Sequence, residues 1–148
     1  MVIVVVGEEN GRLESRIDEI DAAFPDAEIN TYFLSDEDNA VHITSKIKEL
    51  GPDLLITENL IRFEECTLTD AVAYNLIHCR QIHYLPENTA DGRYIENAEY
   101  LKKQLSLVMH FFCNKEDEKQ YYINEYPDIP YVEVSNGIVD DIKSVLAI

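Results

Sequence analysis

The sequence predicts an α/β fold built on a doubly wound, mostly parallel six-stranded sheet with helices on both faces. Three observations lead to it. A continuous β-branched run, Val2 to Val6, ends at Gly7, as suits a strand buried on both faces. Runs of this kind then alternate with segments of helical spacing along the chain. Finally, 148 residues of which 46% are hydrophobic can build one core without a staple. Residues 1–148 are therefore read as a single domain.

The elements follow in order. After the first strand, Leu13, Ile17, Ile20 and Phe24 recur at helical spacing between Asn10-Gly11 and Pro25. Glu28 to Leu34 reads as a strand, and Ala40, Ile43, Ile47 and Leu50 line a helix closed by Gly51-Pro52. Leu54 to Thr57 is a third strand, Thr67 to His78 a helix, and Gln81 to Leu85 a short strand stopped by Pro86. A polar loop, Glu87 to Arg93, precedes a helix over Asn97 to Ser106. Leu107 to Cys113 is the fifth strand, Lys115 to Tyr126 a helix, and Tyr131 to Val134 the sixth strand. Ser135-Asn136-Gly137 opens a last helix that turns Ile138, Ile142, Val145 and Leu146 inward. Strand–helix alternation of this kind implies right-handed crossovers and a Rossmann- or flavodoxin-like three-layer sandwich.

Charge narrows the function. With 29 acids against 12 bases the net charge is −17, a field that repels phosphate backbones and anionic lipid. Nucleic acid and membrane are not expected partners. The longest apolar runs fall well short of the roughly 20 residues that cross a bilayer. No basic segment precedes the first strand, and Cys66, Cys79 and Cys113 are odd in number, so a cytoplasmic protein with free thiols is expected.

The loop Gly7-Glu8-Glu9-Asn10-Gly11 lacks the G-x-G-x-x-G spacing that brings backbone amides to a pyrophosphate, and no Walker sequence occurs. No cofactor is expected. Glu8, Glu9 and Glu58 would converge if the first and third strands are neighbours, offering oxygen ligands to a divalent cation; solvated repulsion is the plainer reading. Cys79-x3-His83 and His110-x2-Cys113 have zinc-like residue types, but His110 and Cys113 fall on opposite faces of a strand. Hydroxyls cluster in Phe63 to Thr69, where a helix start can face an anion or simply be capped by Thr67 or Thr69. Tyr121, Tyr122 and Tyr126 crowd one helix, as a docking patch or as half-buried core.

Two family resemblances follow. Val108 to Asp141, with Cys113-Asn114-Lys115-Glu116-Asp117, Tyr126-Pro127 and Tyr131-Val132-Glu133-Val134-Ser135-Asn136-Gly137-Ile138, resembles the end of the N-terminal half of GT-B glycosyltransferases. Pro52-Asp53-Leu54-Leu55-Ile56-Thr57 is similar to an earlier strand of that half. The resemblance implies a sugar-acceptor binding half without transferase activity of its own. Val2 to Val6 with Glu8-Glu9, and Pro52 to Glu58, also resemble response-regulator receiver domains. Glu58 stands where receivers carry the phosphate-accepting aspartate, which implies a phosphorylation-independent interaction module.

In parallel α/β sheets, ligands bind outside the carboxyl ends of the strands, where strand order reverses. That rule places the expected binding crevice among Glu8, Asn10, Glu58, Asn59, Thr67, Thr69 and Asn114. The expected function is a non-catalytic domain for a small-molecule or sugar ligand, with a protein-interaction module as the alternative. A protein partner or a homo-oligomer is compatible with either.

Overall fold

The central strands over Val2–Glu8 and Leu54–Glu58 form where apolar residues run almost without interruption. In the computed structural model, which describes residues 1–34, 41–58, 79–85, 109–125, 127 and 132–148, the strands are β1 (Val2–Glu8), β2 (Glu28–Leu34), β3 (Leu54–Glu58), β4 (Arg80–Tyr84), β5 (Met109–Cys113) and β6 (Val132–Val134). They form one sheet in the order β2-β1-β3-β4-β5-β6, parallel throughout. The apolar runs Val2 to Val6, Leu54 to Thr57 and Leu107 to Cys113 supply β1, β3 and β5, each with a strand on either side. Strand order reverses between β1 and β3, which pair Ile3 with Leu54 through Val6 with Thr57.

Four helices are described: α1 (Ile17–Ala23), α2 (Val41–Leu50), α3 (Glu116–Glu125) and α4 (Ile138–Leu146). The helix expected from Leu13 begins instead as a single 3₁₀ turn, Glu14–Arg16. Arg16 N–H bonds the Leu13 carbonyl at 3.0 Å, and the Ser15 hydroxyl bonds the Arg12 carbonyl at 2.7 Å, so the chain is wound tightly before α1 starts. α4 starts at Gly137, whose φ of 105° only glycine adopts without strain. Its last turn closes through Ile148 N–H to the Lys143 carbonyl, and Arg80 donates to the Val145 carbonyl at 2.7 Å. The helices expected over 67–78 and 97–106, and the loop over 87–93, lie outside the described residues.

Alternation along the strands sorts side chains into two faces. On one, Ile3, Val5, Leu54, Ile56, Ile82, Tyr84 and Phe112 pack with Leu13 and with Ile20 of α1 and Ile142 and Val145 of α4. At about 25 cal/mol per Å2 of apolar surface, this layer is what fastens α1 and α4 to the sheet. The opposite face carries Val4, Val6, Leu55, Thr57, His83 and Phe111, all buried.

His83 is a buried polar group of that second face, beside Thr57. Its Nδ1 lies 2.7 Å from Thr57 Oγ1, and its ring meets Phe111 edge-on at 5.9 Å. Burial, helped by the positive charge of Arg12, pushes its pKa down from 6.5 to about 3. The unfolded ring takes up a proton near pH 6.5 and the folded ring does not, so this group subtracts stability as pH falls through that range. Urea unfolding should therefore show a His83-dependent loss of about 2 kcal/mol between pH 7 and 5. His83→Gln should remove that component from the pH profile; a profile with the same slope in both proteins would contradict the assignment.

Candidate functional site

The candidate site is a cleft of about 220 Å3 at the carboxyl edge of the sheet. Its walls come from the β1–α1 turn (Arg12, Leu13), the 3₁₀ turn and α1 (Arg16, Glu19), the ends of β4 and β5 (Tyr84, Asn114) and the start of α4 (Ser135, Gly137, Ile138). A cleft there follows from the parallel topology, since strand ends and helix starts leave backbone groups facing a common space.

Arg12 is its central cation. The half-buried guanidinium donates from Nη1 to Asn114 Oδ1 at 2.5 Å and from Nη2 to the Leu85 carbonyl at 3.5 Å. It lies 5.1 Å from the centroid of the Tyr84 ring. Every one of these partners is neutral. Among the described residues Arg12 makes no ion pair, whereas Arg16 at the rim is bridged to Glu19 at 2.9 Å.

The partners of Arg12 are themselves held. Glu118 of α3 reaches back to accept the Asn114 N–H at 3.0 Å, in the manner of a capping box. The Tyr84 hydroxyl donates to Asp141 Oδ2 at 2.7 Å, the Ser135 hydroxyl donates to the same oxygen, and Asn136 N–H donates to Oδ1 at 3.0 Å. Asp141 is only 2% exposed, so these donors stand in for the water it has lost. Burial first, and then the charge of Asp141, push the Tyr84 phenol well above its usual range, and it remains a donor.

Below the β1–α1 turn lies a second buried acid. Glu58, 2% exposed, accepts the Glu8 N–H at 2.8 Å through Oε1. A Cβ on Gly7 would lie 2.8 Å from that oxygen and one on Gly11 2.7 Å, so both glycines yield space to the carboxylate. Burial raises the Glu58 pKa, as does the nearby Glu8 charge, against backbone hydrogen bonds from Glu8 and Leu13 and the pull of Arg12.

Of the residues singled out from sequence, Asn114 lines the cleft. Glu8 and Glu58 meet each other beside it, and Asn10 sits exposed in the turn with φ 60° and its N–H on Glu14. Asn59, Thr67 and Thr69 lie outside the described residues. No group of three metal-ligating side chains is present among the described residues, and the Glu58 oxygen nearest Glu8 is occupied by a backbone N–H. Burial pushes the thiols up, Cys79 to about 12 and Cys113 to about 11, so neither is a ready thiolate. Tyr122 is buried and Tyr121 exposed. Sequence reading missed Arg12, Tyr84 and Asp141. A lone arginine just after the first strand was a signal available for the first; the other two need the register of β4 against α4.

Asp141→Ala should lower the unfolding free energy by about 3 kcal/mol, because it strands three donors at once. Tyr84→Phe should cost only about 1 kcal/mol. Denaturant titration of both variants checks the order, and equal losses would mean that Asp141 is not shared in this way. No family model, curated protein or solved structure matches the chain.

Proposed function

We propose that the chain is a non-catalytic ligand-binding domain whose carboxyl-edge cleft takes a small anionic molecule. The observation that carries this reading is Arg12. A half-buried guanidinium whose hydrogen-bond partners are neutral, and which makes no ion pair among the described residues of a chain of net charge −17, is a cation that a ligand can reach.

The remaining guanidinium N–H groups form a fork suited to a carboxylate or phosphate. Leu13, Ile138 and the Tyr84 ring add apolar wall, which suits a ligand with an anionic head and a compact body, an organic acid or an acidic sugar. The surrounding negative field speaks against polyanions, since among the described residues only one cation of the cleft lacks a carboxylate ion pair.

The interaction-module reading has less support. Tyr121 and Ile123 are exposed on α3, at 37% and 41%, but residues two apart point to different sides of a helix and form no shared patch.

Isothermal titration with inorganic phosphate, malonate and glucuronate should give at least one saturable anion complex, weakened by added salt. Arg12→Gln should reduce that affinity on the order of a hundredfold, the scale of a buried charge-assisted pair. Saturable binding that survives this change unaltered, or no binding by any of the three, would count against the proposal.

A further inference from the structure

We propose that Glu58 is the positioning residue of the anion site, fixing the β1–α1 turn from which Arg12 reaches the cleft. The inference rests on the anionic-ligand reading for its functional meaning. Its structural part stands on the geometry around one carboxylate.

Glu58 ends β3, Gly7 is the penultimate residue of β1, and Gly11 lies in the turn that follows. Its Oε1 takes the Glu8 N–H at 2.8 Å and fills the space where side chains on both glycines would stand. The turn then closes on itself through Gly11 N–H to the Glu8 carbonyl at 2.9 Å. Arg12 comes next, and its own carbonyl is held by Ser15 while Leu13 is anchored in the core.

The backbone of Arg12 is thus clamped on both sides, with the Glu58 carboxylate as the floor on the β1 side. From that fixed base the side chain spans to Asn114 and Leu85, at the ends of β5 and β4, and over Tyr84. A long flexible side chain aims reproducibly only from a fixed base, because each added backbone conformer spreads the guanidinium over a wider volume.

Two substitutions attack the clamp from opposite directions. Glu58→Gln leaves one acceptor oxygen and turns an amide toward backbone donors. Gly11→Ala keeps the carboxylate but drives a methyl to 2.7 Å from it and 2.9 Å from the Glu8 carbonyl.

The readout is the Arg12 Nε–H resonance in ligand-free protein, together with inorganic phosphate affinity by calorimetry. Both variants, checked as folded by circular dichroism, should move that resonance toward the position of free arginine. Phosphate should bind each on the order of tenfold more weakly. Rescue is not expected from Glu58→Asp, which keeps the charge but withdraws it by one methylene. A folded variant that keeps both the native resonance and the native affinity would overturn the proposal, as would full rescue by Asp. A wild-type protein that shows the ordered Arg12 resonance but binds no phosphate would overturn the phosphate arm of the ligand reading instead, and the ligand-free spectra would still decide the role of Glu58.

Discussion

Asp141 draws three donors onto one buried carboxylate: the Tyr84 hydroxyl at the end of β4, the Ser135 hydroxyl after β6, and the Asn136 N–H before α4. An acid that is 2% exposed persists as a charge only where donors replace its water. Meeting that requirement locks α4 against the carboxyl edge of the sheet. It also sets the tilt of the Tyr84 ring, over which Arg12 lies, and brings Ser135 and Gly137 to the wall of the cleft.

A second buried acid divides the same edge. The reversal of strand order between β1 and β3 creates a crevice in folds of this topology, and here Glu58 turns its own carboxylate against the β1–α1 turn. The cleft opens farther along, over β4, β5 and the start of α4. The two acids act alike. Each satisfies backbone or hydroxyl donors and fixes a partner of Arg12 or its base, while the hydrogen-bond partners of Arg12 itself are neutral.

Much of the fold was legible because buried parallel strands write themselves as apolar runs. Val2 to Val6 and Leu54 to Thr57 have almost no polar interruption, and both became interior strands. Glu28 to Leu34 was legible as a strand down to its ends. The start of α1 was not, since nothing in the periodicity of Leu13, Ile17 and Ile20 reveals the 3₁₀ turn over Glu14–Arg16 in which Ser15 bonds the Arg12 carbonyl. Asn114 was legible as a strand-end polar residue and does line the cleft. Arg12, Tyr84 and Asp141 were not, because their significance lies in contacts 57 and 102 residues apart in sequence. A single tyrosine in a strand and one of two adjacent aspartates in the first turn of a helix look like ordinary core and ordinary helix-dipole chemistry.

Backbone and arginine side-chain amide NMR, recorded while a small anion is titrated into the intact chain, tests the central claim most directly. The account predicts that the Arg12 Nε–H and the amides of Asn114, Ser135, Gly137 and Ile138 shift together along one saturating curve. Asp53 and Gln81, at the amino-terminal edge, should stay still. Shifts confined to that far edge or to the exposed side of α3, with Arg12 unmoved at saturation, would contradict it.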